Sequence, residues 1–182
     1  MSLRIIGGTF RNRPIKAPKG DRTRPTSAMM RKAVFDICQP FIEDASFLDL
    51  FAGSGAMGIE AISRGASHAT FVDKDKHALD CILTNLKDLD IEEQCTVIAG
   101  AVPQAFKRLK NPFDIVYIDP PYGQVEISPI LIYFDEQDLL NPGAHLFVET
   151  DHALEPLALQ HLIAKERRKY GNSFLYEFKN IH

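Results

Sequence analysis

Tryptophan is absent from this 182-residue chain, and its three cysteines, Cys38, Cys81 and Cys95, show no C-x-x-C spacing. Cysteines so few and scattered exclude a disulfide framework or zinc clamp; they suit a reducing interior, as small buried apolar side chains. The six histidines form neither H-x-H nor H-x-x-x-H, so no metal site is expected. The opening MSLRIIGGTFRNR lacks the apolar core of a secretory signal, and no run reaches the roughly eighteen apolar residues of a membrane span. The expectation is a cytoplasmic protein with no membrane partner. There is no internal repeat and no linker. A hydrophobic content of 45% against 25% charged residues excludes disordered and coiled-coil classes, and the length suits one buried core.

A net charge of −3 argues, as an average, against a polyanion-binding protein, but the charge is polarised. Residues 1–32 hold nine basic side chains (Arg4, Arg11, Arg13, Lys16, Lys19, Arg22, Arg24, Arg31, Lys32) and one acid, Asp21, or +8. The other 150 residues therefore carry −11. The basic arm reads as a small hairpin, with Leu3–Ile6 as a strand interrupted at Gly7-Gly8 before Thr9-Phe10. Pro25 then holds Arg24 extended, and Thr26 can cap a helix with Met30, Ala33, Val34 and Ile37 on one face, closed by Pro40. Residues 1–25 are expected to form the hairpin and loop, and residues 26–182 the main domain.

Beyond the arm the chain alternates. Ser46–Phe51, Ala69–Asp73, Thr96–Ala99 and Phe113–Asp119 are short apolar runs, separated by helical patterns at Ala56–Arg64, Lys76–Leu89 and Val102–Leu109. That predicts a parallel, doubly wound α/β sheet. A helix within Ser128–Leu140, a turn at Asn141-Pro142-Gly143 and strands at Ala144–Val148 and Phe174–Phe178 follow, the last pair antiparallel.

Two motifs carry chemistry. Gly53, Gly55 and Gly58 satisfy G-x-G-x-x-G between a strand and a helix, and Asp73 follows 20 residues after Gly53, placed to accept ribose hydroxyls. Dinucleotides and S-adenosylmethionine both use such a loop, and the glycines alone do not choose between them. The second motif, Asp119-Pro120-Pro121-Tyr122, ends a strand at the edge where open α/β sheets bind ligands. Its prolines present carbonyls with no competing N–H, Asp119 adds a carboxylate, and Tyr122 adds a ring on which a flipped base can stack. This set suits an exocyclic amine, whose lone pair is delocalised into its ring until both N–H groups are held. Amine methylation on a base, with Asp119, Pro120 and Tyr122 as catalytic group, is the reading; the alternatives are adenine-N6 methylation of DNA or RNA, a non-catalytic RNA-binding protein on the same fold, and a dinucleotide oxidoreductase.

These residues resemble the amino-methyltransferase branch of the S-adenosylmethionine-dependent superfamily. Together with Arg4-Ile5-Ile6-Gly7-Gly8, Arg11-x-Arg13, Thr23-Arg24-Pro25-Thr26 and Phe51–Ala66, they are similar to the bacterial small-subunit rRNA methyltransferase D type, which methylates guanine N2 in 16S rRNA. The resemblance implies a Rossmann-like seven-stranded methyltransferase sheet, mostly parallel with an antiparallel terminal strand, plus an N-terminal β-hairpin. It implies S-adenosylmethionine as cofactor, S-adenosylhomocysteine as product, and 16S rRNA within a small-subunit or assembly particle as partner of a monomer. Cofactor contacts are then expected from Thr23, Arg24, Asp49, Phe51, Ala52, Gly53, Gly55, Asp73, Lys74 and Ala101, and RNA contacts from Arg4, Arg11, Arg13, Lys16 and Arg22. Two positions depart from the family pattern: Gly100-Ala101 stands where relatives place an adenine-binding Asp, and Asp73 where Glu is usual. A contact from the Ala101 backbone is expected to substitute. The cluster Lys165, Arg167, Arg168 and Lys169 is either a further RNA surface or a solvated end of an element.

Overall fold

The computed structural model describes residues 3–18, 28–121 and 123–182. Arg22, Thr23, Arg24, Thr26 and Tyr122 lie outside the described residues. Two short strands, β1 (Leu3–Arg4) and β2 (Pro14–Ile15), pair antiparallel as the N-terminal hairpin. The strand expected to resume at Thr9-Phe10 after Gly7-Gly8 does not, because the Gly7–Phe10 stretch binds a helix instead. Helix α1 (Ala28–Cys38) follows, burying Met30, Arg31, Val34, Phe35 and Cys38.

The alternating segment builds β3 (Ser46–Leu50), α2 (Ala56–Ser63), β4 (His68–Asp73), α3 (Lys76–Leu89), β5 (Cys95–Ala99) and β6 (Phe113–Ile118). Only a 3-10 turn, Gln104–Arg108, stands where a helix is expected over Val102–Leu109. After helix α4 (Ser128–Glu136) come β7 (Leu140–Thr150), β8 (Leu162–Tyr170) and β9 (Ser173–Asn180). The seven main strands lie in the order β5-β4-β3-β6-β7-β9-β8, with β9 antiparallel to both neighbours and the rest parallel. Asn141–Gly143 is not a separate turn. It is taken into β7 as an irregularity, Phe113 pairing with Leu140 and Ile115 with His145, so that four residues of β7 lie opposite one of β6.

The central strands are buried on both faces, which is why they read as unbroken apolar runs. One core packs α1, α2 and α3 on a face that includes Phe47, Phe71, Tyr117 and Phe147; the other packs α4 and the 3-10 turn against Leu48, Leu50, Val116 and Val148. The chain goes from β3 outward to β4 and β5, then crosses to β6 on the other side. The sheet's switch point therefore falls between β3 and β6. No helix among the described residues is long and apolar enough to cross a membrane.

Candidate active site

Both chemical motifs meet at that switch point. Leu50 is in register with Ile118, so the glycine loop and the Asp119 turn leave adjacent strands at the same edge, joined by a long contact from the Asp119 N–H to the Leu50 carbonyl, 3.5 Å. Asp119 is half-buried and Pro120 buried. Pro120 and Pro121 have no amide hydrogen to occupy the carbonyls beside them.

The glycine loop turns on three departures into left-handed backbone: Phe51 at φ 62°, Gly53 at 56° and Gly55 at 77°. A non-glycine residue there costs about 1–2 kcal/mol, so Phe51 is held by its surroundings. The Ala52 N–H donates to the Val72 carbonyl (3.1 Å) and the Gly53 N–H to Asp73 Oδ2 (2.8 Å), which hang the loop on the end of β4. Around Gly53 a side chain would meet nothing closer than the Phe51 carbonyl at 4.0 Å, so the backbone is open to a ligand. At Gly58 a Cβ would lie 2.3 Å from the Phe71 ring: this glycine sets how closely α2 packs on the sheet.

Asp73 uses its other oxygen to accept the Asp75 N–H (2.9 Å), and Asp75 caps α3 by accepting from His77 and Ala78. A carboxylate has about four acceptor sites, so two backbone donors leave Asp73 able to take ribose hydroxyls. Lys74 beside it is exposed. Ala101 follows β5, which pairs with β4 at Ala99 opposite Asp73, and its carbonyl accepts the Ala105 N–H. The residue set fits S-adenosylmethionine: an open backbone cradle without charge at Gly53, a carboxylate with spare acceptor sites beside it at Asp73, and acidic groups for a cationic sulfur.

Asp49 is only 2% exposed and Oδ2 accepts the Gly58 N–H at 3.1 Å, so it braces the loop from beneath. Burial pushes its pKa well above the usual carboxylate range; the Gly58 N–H opposes this, and Asp119 and Asp73 push further up. A carboxyl raised in the folded state stabilises below its unfolded pKa of about 3.9, and that contribution is lost as pH rises through the folded value. Asp49→Asn, which is neutral at every pH, is therefore expected to melt progressively later than the unsubstituted chain as pH rises from 4 to 8. Parallel melting curves of the two proteins across that range would contradict it.

Three further residues carry no local sequence motif. Tyr117, fully buried, donates its hydroxyl to Glu149 Oε2 at 2.6 Å, and burial, reinforced by Asp119 and Glu149, keeps the phenol protonated. Ile118 pairs with Val148, which sets Glu149 beside the strand end that carries Asp119. Asn85, 1% exposed, ties the arm to the loop: its side-chain oxygen accepts the Lys16 N–H, and its amide donates to the Lys16 and Ser54 carbonyls. An amide in the buried stripe of an amphipathic helix is the one signal that points to it.

The arm is fixed to α2. The Ile6 and Gly7 N–H groups donate to the two oxygens of Glu60 (2.8 and 2.7 Å), Thr9 N–H to the Ser63 carbonyl, and Phe10 N–H to Ser63 Oγ. At Gly8, φ 74°, a Cβ would fall 1.6 Å from the Ser63 carbonyl oxygen. Of the arm's expected cations, Arg4, Arg11, Arg13 and Lys16 are exposed; Lys16 pairs with Asp88, and Arg13 donates to the Asp88 carbonyl. Arg31, one of the nine basic residues of the arm segment, is 2% exposed and donates to the Arg4 carbonyl, so it is an internal tie rather than a polyanion contact.

The chain is similar to known proteins over most of its length. Residues 3–179 match the family model described as "Conserved hypothetical protein 95". "Putative rRNA methyltransferase YlbH" of Bacillus subtilis is 34% identical, over 93% of this chain and 94% of its own. "Ribosomal RNA small subunit methyltransferase D" of Escherichia coli K12 is 34% identical, over 82% of this chain and 75% of its own. Among solved structures, "Putative methyltransferase yhhF from Escherichia coli" superposes with a TM-score of 0.85 at 29% identity, covering 100% of this chain and 99% of that one.

Proposed function

This chain belongs to the conserved hypothetical protein 95 family, with relatives named ribosomal RNA small subunit methyltransferase D, and from that premise we propose that it methylates the exocyclic N2 amine of a guanine in 16S rRNA. The observation that carries the reading is the meeting of the Asp119-Pro120-Pro121 turn and the open Gly53 backbone at one switch point. S-adenosylmethionine, when bound, supplies an electrophilic methyl on positively charged sulfur and leaves as S-adenosylhomocysteine.

The chain's residues do the rest. Gly53 and Gly55 let the backbone approach the methionine end, Asp73 takes the ribose, and Ala101 offers its backbone to the adenine. Asp119 and the Pro120 carbonyl accept the two N–H groups of the target amine. Held so, the nitrogen becomes pyramidal and its lone pair is released from the ring for in-line attack on the methyl carbon. The new N–C bond replaces the S–C bond, and the methylated nitrogen then loses one proton. A carboxylate is a weak base, but the cationic nitrogen is acidic enough that Asp119 need only orient it and pass the proton to water. Tyr122 is proposed as the stacking face for the flipped base, and Thr23 and Arg24 as cofactor contacts.

RNA contact is assigned to Arg4, Arg11, Arg13, Lys16 and Arg22, because the −11 of the remaining chain repels a polyanion. Arg11→Ala with Arg13→Ala is expected to weaken rRNA binding and to reduce the salt dependence, by roughly 0.7–0.9 log units for each phosphate that is no longer neutralised. An unchanged slope in a titration from low to moderate salt would remove these two from the interface. The function itself is tested by incubating the protein with methyl-labelled S-adenosylmethionine and unmethylated small subunits. Label in the rRNA is expected; label passing only to DNA would contradict the reading.

A further inference from the structure

Strand β8 is one of the two edge strands of the seven-stranded sheet, and its sequence LIAKERRKY carries four basic groups and one acid. The acid, Glu166, is already paired with Arg168. Among the described residues Arg167 and Lys169 have no carboxylate partner. Both instead lie over the ring of Phe174 on β9, Arg167 Cζ at 5.6 Å and Lys169 Nζ at 5.5 Å from its centroid. Phe174 in turn lies 6.4 Å from Tyr176, and neither ring is fully buried. The result is a strip in which two cations share one aromatic ring, with a second ring beside it.

Its position in the fold gives the strip a use. Phe174 pairs with Thr150, the last residue of β7, and Val148 pairs with Ile118, the last residue of β6. The β8–β9 turn therefore lies at the same sheet edge as Asp119, two strand spacings away, roughly 10 Å. Three backbone N–H groups, from Gln160, His161 and Leu162, donate to the Asp135 carboxylate and fix the start of β8.

We infer that the β8–β9 hairpin is a second RNA-contact surface, in which Arg167 and Lys169 meet phosphates and Phe174 stacks on an unpaired base flanking the target nucleotide. The inference rests on the reading of the substrate as RNA. It places cations at the end of the sheet that carries Asp119, on the β7 side, so a strand entering beside Asp119 meets positive charge beyond the acidic rim. A free edge strand also invites a second copy of the chain. Here that pairing sets β8 against β8, four basic groups facing four, which disfavours it.

The test compares binding of unmethylated small-subunit rRNA to the unsubstituted chain, to Arg167→Glu with Lys169→Glu, and to Phe174→Ala, over a range of salt. Cofactor affinity and melting temperature are measured alongside, to show that each variant is folded. Charge reversal is expected to weaken binding and to lower the salt slope by roughly 1.4–1.8 in log units, the amount that corresponds to two phosphates released from neutralisation. Phe174→Ala is expected to weaken binding roughly 5- to 150-fold with the slope unchanged, as removal of a stacking face requires. RNA bound equally by all three proteins overturns the hairpin assignment and leaves the proposed function standing. Failure of the unsubstituted chain to bind RNA overturns both. If Arg167→Ala with Lys169→Ala keeps full RNA affinity but self-associates, the charges guard a sheet edge and the inference is wrong.

Discussion

Asp119→Ala is expected to lower methyl transfer by about 10²- to 10⁴-fold while leaving affinity for S-adenosylmethionine close to that of the unsubstituted chain. The separation follows from where the two functions sit. The proposed cofactor cradle hangs on β4 through the Gly53 N–H to Asp73 bond and the Ala52 N–H to Val72 bond, neither of which involves Asp119. Asp119 lies across the switch point at the end of β6. A side effect is also expected: Asp119 is one of the charges holding the Asp49 pKa up, so its removal lets Asp49 ionise at lower pH. Single-turnover transfer to rRNA and calorimetric titration with the cofactor check the two arms. Equal loss in both would mean that Asp119 builds the cofactor site instead of orienting the amine.

The second large effect is structural. Glu60 is 1% exposed and its carboxylate accepts from the Ile6 N–H, the Gly7 N–H and Arg64 Nε at 2.7–2.8 Å. It also offsets the positive charge of Arg31, whose pKa burial pulls down while Glu60 pulls it back up. Glu60→Ala leaves two backbone donors and two largely buried guanidinium groups without that charge, a loss expected to cost about 3–5 kcal/mol. For a chain of this size that is a fall in melting temperature of roughly 6–20 °C. Because Glu60 holds two of the arm's backbone groups on α2, beside the Ser63 contacts, RNA affinity is expected to fall with it. A variant that melts normally and binds RNA normally would show that the arm is held by other contacts.

Glu60 also marks how far residues read in order can reach. The glycine loop, Asp73 and the Asp119 turn are legible because backbone freedom, a missing N–H and a carboxylate each announce their chemistry at short range, and the apolar runs announce the sheet. Glu60 lies 53 residues from its partner Gly7, and Asn85 lies 69 from Lys16, so no local pattern joins them. A carboxylate inside the otherwise apolar AMGIEAIS shows that a partner exists without showing which one. Arg31 misleads for a similar reason: a segment sum counts charge but not burial, and the arm carbonyl that receives this guanidinium becomes its neighbour only on folding. Pro142-Gly143 reads as a turn, yet β6 pairs β7 on both sides of it, at Leu140 and again from His145, and the segment is carried as a bulge. Charge along β8 obscures its strand period, because an edge strand has little to bury.

The central claim is that the carboxylate and carbonyl of the Asp119 turn present a guanine N2 amine to the methyl donor. It is tested most directly by digesting small-subunit rRNA, methylated by the purified protein, to nucleosides and identifying the product by mass spectrometry. N2-methylguanosine, absent when Asp119→Ala replaces the unsubstituted chain, is the predicted result; N6-methyladenosine in its place would contradict the account.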